Sequence, residues 1–166
     1  MCATEYAALY EDYWHRPDRW GSQSFSSAEM LADQVLSLCG GGRYLDVGCG
    51  MGGLVRALLR RGVDAHGLDV AKRPVQHLNS VAPGRFHLGS ILNLPFPDDS
   101  FDVLLCTDVL EHLEEADVPR ALQELRRVTR RSLFLTIATA PDRDKRWHLT
   151  VHGRDWWENA LFQAGF

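Results

Sequence analysis

Four carboxylates and a run of glycines hold the chemistry that can be read from this chain. LDVGCGMGG (45–53) sets Gly48, Gly50 and Gly53 at the spacing G-x-G-x-x-G, which lets a backbone turn sharply from strand to helix and approach a ligand closely. That pattern alone also fits a dinucleotide site, and Asp69 lies about where such a site keeps its ribose-binding acid. Charge separates the readings. A pyrophosphate profits from a bare helix N-terminus, yet Asp46 stands two residues ahead of Gly48, and Asp69, Asp108 and Glu111 follow the ends of later apolar runs. Acids gathered on one edge of a sheet favour a ligand with cationic groups and no phosphate.

The elements that must position these residues follow from periodicity. RYLDV (43–47) is a short apolar run stopped by glycines, and LVRALLRRG (54–62) has helical spacing with Gly62 as its C-terminal stop. The alternation continues with DAHGLDV (64–70) as strand, KRPVQHLNSV (72–81) as helix and RFHLG (85–89) as strand. After the turn-rich LPFPDDS come the strand FDVLLCT (101–107), a helix over 118–128 and the strand SLFLTIA (132–138). Five strands alternating with helices predict a doubly wound α/β fold, a parallel sheet with helices on both faces, because right-handed crossovers place them there. Residues 153–164 read as one more helix. Ahead of the first strand, residues 1–27 are rich in Tyr, Trp and Ser with weak helical periodicity, and 28–38 are better amphipathic. The expected organisation is therefore an N-terminal helical cap over 1–40 and a ligand-binding domain over 41–166.

Composition narrows the class. At 166 residues the chain is one domain's worth of polypeptide, and 45% hydrophobic with 24% charged residues is globular, neither disordered nor fibrous. Its 22 acids against 18 bases leave a net charge of −4, which argues against nucleic acid or an anionic membrane surface as partner. Cys2, Cys39, Cys49 and Cys106 lack C-x-x-C spacing, so reduced thiols are expected rather than a disulfide or zinc framework. With no long apolar run and no secretion signal in MCATEYAALYEDYWHR, a cytoplasmic location is expected.

S-adenosylmethionine satisfies the charge pattern: it carries a sulfonium, an α-ammonium and a ribose whose hydroxyls need an acceptor such as Asp69. LDVGCGMGG, then GLDVA (67–71), then LPFPDDSFDVLLCTDVLEHL (94–113) resemble, in order and at family spacing, the class I S-adenosylmethionine-dependent methyltransferases. The resemblance covers about residues 43–140 and implies a Rossmann-like sheet of order 3-2-1-4-5. It also implies roles. Gly48, Cys49 and Gly50 would form the turn under the methionine part, oriented by Asp46. Asp69, with Val70 beside it, would take the ribose hydroxyls, Ser90, Ile91 and Leu92 would face the adenine, and Thr107 would offer backbone near the ammonium. Two departures stand out. Family members commonly carry an acid where this chain has Ser90, which implies weaker cofactor binding by about 1 kcal/mol. The usual last antiparallel strand pair is also lacking, so the expectation is a domain cut from, or belonging to, a longer native chain.

Candidate catalytic residues are His112, His148 and His152. Histidine titrates near neutrality and could take a proton from an acceptor hydroxyl; otherwise Glu111 and His112 cap the turn after the fourth strand, and His148 and His152 are surface groups. Packing of the appended helices is preferred over acceptor stacking for Tyr13, Trp14, Trp147, Trp156 and Trp157. The arginines at 126, 127, 130 and 131 read as a solvated face rather than a phosphate site. Asp142 and Asp144 are thin grounds for Mg²⁺, and no metal is expected. The expected activity is direct in-line methyl transfer from S-adenosylmethionine to a small-molecule or glycan acceptor, with oxygen favoured. The alternatives are a non-catalytic methyltransferase-like scaffold within a larger protein and a nicotinamide-dependent oxidoreductase, against which VLEHL (109–113) speaks.

Overall fold

The structure is a computed structural model that describes residues 1–15, 25–143 and 147–166. Asp144, weighed above, and part of the Tyr-, Trp- and Ser-rich stretch 1–27 lie outside the described residues. Two helices, α1 (Ala3–Trp14) and α2 (Phe25–Cys39), lead into β1 (Arg43–Val47), α3 (Gly53–Arg60), β2 (Asp64–Asp69), α4 (Lys72–Val81) and β3 (Phe86–Leu88). Then follow β4 (Phe101–Thr107), two 3-10 turns (Leu110–His112 and Glu115–Asp117), α5 (Val118–Val128), β5 (Thr129–Thr136) and α6 (Arg154–Gln163). The five strands form one parallel sheet in the order β3-β2-β1-β4-β5. This is the order the resemblance implied, and it puts a topological switch between β1 and β4, where open α/β sheets bind ligands.

Strand alternation splits the core between the two faces. On β4, Val103 and Leu105 join Leu54, Val55 and Leu58 of α3 and Val35 of α2, while Leu104 and Cys106 join Leu122 and Leu125 of α5 and Trp157 of α6. α2 therefore packs as part of the sheet's helical layer, whereas α1 is the segment that reaches the ligand edge. The periodicity of α1 is weak as a general amphipathic pattern because its inward face is aromatic: Tyr6, Tyr10, Tyr13 and Trp14 recur at helical spacing.

β5 begins at Thr129, three residues earlier than its sequence suggests. The run Arg130-Arg131 resembles a loop, but β5 is the sheet's edge and these side chains have partners there. Arg130 pairs with Asp102 at 2.8 Å, and Arg131 donates to the carbonyls of Cys39 and Gly41. Arg127 likewise pairs with Asp98 and Glu124 and donates to the Phe96 and Leu94 carbonyls. The arginine cluster is structural.

Candidate active site

The turn after β1 is held by its own amides. Gly48 N–H and Cys49 N–H both donate to the Leu68 carbonyl of β2, at 2.8 and 3.0 Å. Gly50 N–H donates to Asp69 Oδ2 at 2.8 Å, and Gly52 N–H donates to the Cys49 carbonyl at 2.8 Å. Gly48 has φ +78°, and a Cβ there would lie 2.5 Å from Val109 Cγ2; at Gly50 (φ +51°) it would lie 3.1 Å from the Trp14 ring. These two positions exclude side chains because Val109 and α1 press on the turn. Those four amides are engaged within the protein and so are not offered to a phosphate.

Asp69 is 7% exposed and accepts from Gly50 N–H and, at 2.9 Å, from Ala71 N–H. Burial pushes its carboxyl above the ordinary carboxylate range, and the bonds from Ala71 and Gly50 oppose that shift. Asp46, 4% exposed behind the turn, is pushed up to about 7 by burial and by the neighbouring Asp69 charge. Burial likewise raises the Cys49 and Cys106 thiols, so neither is a ready nucleophile.

A cavity of about 460 Å³ opens at this edge, within the roughly 300–1,000 Å³ of small-molecule sites. Of the residues the resemblance assigned to the cofactor, Gly48, Gly50, Asp69, Val70, Ser90, Ile91 and Thr107 line it. Asp46, Cys49 and Leu92 do not: the first two support the turn from beneath, and Leu92 is turned into the core with Leu94 and Leu122. Ser90 Oγ accepts from Leu92 N–H at 3.2 Å, which shapes the bend after β3 and leaves its hydroxyl hydrogen to donate. Asp108 also lines the cavity, in a left-handed conformation (φ +54°) secured by its N–H to the Thr136 carbonyl and by Thr136 Oγ1 to its Oδ1.

The remaining wall was only partly foreseen. His112 and His148 line the cavity as expected of candidate catalytic groups, with ring centroids 5.1 Å apart. His152 does not line it; it bonds Glu115 at 2.9 Å and stacks on Trp156 at 4.2 Å. Trp157 is buried in the core beside α5. Tyr13, Trp14 and Trp147, expected to serve packing, do pack on one another and also line the cavity together with Tyr6 and Tyr10. Tyr13 meets Trp147 edge-on at 5.3 Å, and Tyr10 meets His112 edge-on at 6.2 Å. For the part of this wall built by α1, the signal in the sequence was the spacing of Tyr6, Tyr10, Tyr13 and Trp14 along one helical face.

Glu111 is wholly buried. Its carbonyl accepts from Leu149 N–H and Thr150 N–H, and its Oε1 accepts from Ala138 N–H at 3.0 Å, so it ties the turn after β4 to the chain beyond β5. α1 is fastened at both ends: the Tyr6 hydroxyl donates to Asp117 at 2.8 Å and accepts from Glu114 N–H, and Glu11 accepts from the first amides of α4.

Comparison with known proteins agrees with this geometry. The methyltransferase domain family matches residues 45–136, more than half of the chain. This chain belongs to the class I S-adenosylmethionine-dependent methyltransferase family. It is 39% identical over 93 residues to malonyl-[acyl-carrier protein] O-methyltransferase of Halorhodospira halophila, covering 52% of this chain and 31% of that protein. It is 36% identical over 92 residues to the methyltransferase YcgJ of Bacillus subtilis, covering 52% of this chain and 36% of that protein. The chain thus spans about a third of the length of these relatives. The solved structure of YcgJ superposes with a TM-score of 0.67 at 25% identity, over 84% of this chain and 68% of that one. The fold of PH0226 from Pyrococcus horikoshii is also similar, with a TM-score of 0.72 at 21% identity over 87% and 83% of the two chains. Other relatives include an O-methyltransferase of Aspergillus sclerotiorum and ajmaline N-methyltransferase of Rauvolfia serpentina. Among the described residues no helix is long and apolar enough to cross a membrane.

Proposed function

We propose that this methyltransferase-family chain binds S-adenosylmethionine against the glycine turn and transfers its methyl group to the oxygen of a small-molecule or glycan acceptor held at the aromatic wall. The observation that carries the cofactor half is the engagement of Gly48, Cys49, Gly50 and Gly52 N–H within the protein beside the carboxylates of Asp69, Asp108 and Asp142. A site with occupied amides and an anionic rim complements a sulfonium and an ammonium better than a pyrophosphate. Asp69 retains lone pairs beyond its two backbone bonds for the ribose hydroxyls, and Ser90 and Ile91 supply the adenine side.

Held against Gly48, Gly50 and Asp69, the cofactor would supply a methyl carbon activated on sulfur, open to in-line attack by an acceptor lone pair, with the thioether as leaving group and the acceptor's proton released to solvent or a neighbouring base. What the chain contributes is alignment and exclusion of water, worth several kcal/mol of barrier. Tyr10, Tyr13 and Trp147 provide flat apolar surface for a ring or sugar, and His112 and His148 stand where they can orient the acceptor oxygen. Homology to both O- and N-methyltransferases leaves the preference for oxygen to rest on this chain's own wall, whose histidines and tyrosines hydrogen-bond readily to a hydroxyl.

Calorimetric titration of the chain with S-adenosylmethionine, S-adenosylhomocysteine and NAD tests the cofactor half. Saturable heat with the first two and none with NAD is the expected result. Silence with all three, and an unshifted melting temperature, would make the chain a non-catalytic scaffold. The acceptor half is tested by following S-adenosylhomocysteine release with phenols, sugars and amines; turnover with amines alone would overturn the oxygen assignment.

A further inference from the structure

Glu111 has an oxygen that the fold does not satisfy. Its Oε1 accepts from Ala138 N–H, but Oε2 is fully buried with no hydrogen-bond partner among the described residues. A buried carboxylate oxygen left unpaired is costly unless something cationic completes it. His112 and His148 stand beside this carboxylate: one ligand atom from each of the three residues lies within 4.8 Å of the others.

The two rings are poised as ligands. His112 Nδ1 is 2.9 Å from the Trp147 carbonyl and His148 Nδ1 is 2.8 Å from the Ala140 carbonyl. A carbonyl can only accept, so each Nδ1 carries the hydrogen and each neutral ring keeps its lone pair on Nε2. A backbone acceptor on the far nitrogen is the outer-shell arrangement that orients metal-bound histidines. The loop bearing His148 is itself held, because Asp142 Oδ1 accepts from Trp147 N–H and His148 N–H.

We infer that Glu111, His112 and His148 form a binding site for a divalent transition metal ion, with zinc the ion of first choice. Two imidazoles and one carboxylate suit zinc and its neighbours better than Mg²⁺ or Ca²⁺, which prefer all-oxygen shells. At bond lengths near 2.0–2.2 Å the ligand atoms must draw together by about 1 Å, which half-buried His148 can supply by rotation. Three protein ligands leave a tetrahedral ion one open position, and both histidines face the cavity. On the methyl-transfer reading, that position meets the acceptor oxygen. The metal site itself does not depend on that reading. Among the acids, only Asp142 and Asp144 were weighed for a metal from the sequence, because the three residues of this cluster come from two segments 36 residues apart in the chain (Glu111 and His112 against His148).

The experiment is titration of the chelator-treated full chain with Zn²⁺ by calorimetry and with Co²⁺ by visible absorption. One equivalent is expected, with d–d bands of a nitrogen–oxygen site and no thiolate charge transfer from exposed Cys2 or half-buried Cys39. His148→Ala and Glu111→Gln are expected to weaken binding by about tenfold or more, since even outer-shell substitutions cost that much, while His152→Ala leaves it unchanged. His148→Ala keeps the test decisive if Glu111→Gln unfolds. No saturable binding, thiolate bands, or undiminished affinity in His148→Ala would overturn the site. The same metal-free protein titrated with S-adenosylmethionine separates the two ideas: heat there with no metal binding would sink this inference alone.

Discussion

The glycine turn and the aromatic–histidine wall border one cavity but are built from different kinds of chain. The turn is local: Gly48 to Gly53 and Asp69 sit at the ends of adjacent strands, and backbone hydrogen bonds to Leu68 and Asp69 decide its shape. The wall gathers α1, the turn after β4 and the segment near 147, which meet only through tertiary packing. The difference teaches that the turn tolerates little variation, since backbone geometry allows few solutions, while half-buried side chains of the wall such as Tyr13 and His148 are held mainly by side-chain contacts that substitution can change one at a time.

That contrast can be broken by substitution. Gly48→Ala combines a left-handed backbone with a collision against Val109 and is expected to destabilise the protein by about 4 kcal/mol in chemical denaturation. Partial recovery in Gly48→Ala/Val109→Ala would confirm the steric share. The next largest effect is a pH dependence. Asp46 is pushed from an ordinary 3.8 up to about 7, so the folded state binds a proton more tightly than the unfolded one. Stability must then fall as pH rises from near 4 through 7, and Asp69, raised in the same direction, adds to the slope. Asp46→Asn is expected to flatten this slope and to exceed the parent by about 3 kcal/mol above pH 7; an unchanged melting profile across that window would refute the assignment.

Smaller effects sharpen the division between the two walls. Asp69→Asn is expected to weaken S-adenosylmethionine binding about thirtyfold, or about 2 kcal/mol, because it removes a charged acceptor, and calorimetry checks it. Tyr13→Leu should raise the acceptor KM by about 1 kcal/mol equivalent while leaving the cofactor Kd unchanged; a change in both would mean that the two walls are not separable. His152→Ala, whose ring stacks on Trp156 outside the cavity, should alter turnover by less than about twofold.

Much of the sheet was legible beforehand. β1 matched its apolar run residue for residue, and the strand order followed from the resemblance carried by three motifs. The start of β5 differs from the sequence reading because charged residues on an edge strand look like loop until their partners, Asp102 and the carbonyls of Cys39 and Gly41 at and just past the end of α2, are known. At the candidate site, the placement of Gly48, Gly50 and Asp69 on the cavity was readable because it is set by backbone conformation and strand-end position. Cys49 and Leu92 were placed in the right segments but turned away from the cavity, a matter of side-chain direction that spacing does not specify.

The sequence by itself determined the alternation of strands and helices, the glycine turn and the part of the acidic rim carried by Asp69 and Asp108, since hydrophobic period, positive φ and charge are properties of short segments, whereas Asp46 and Glu111 are buried away from the cavity. Only the tertiary structure decided that Tyr13 and Trp147 share a wall, that His148 joins Glu111 and His112, and that His152 stands apart. Those relations join residues dozens of positions apart. Their distances are set by the packing of α1 and of the segment after β5 on the sheet edge, which no local pattern encodes.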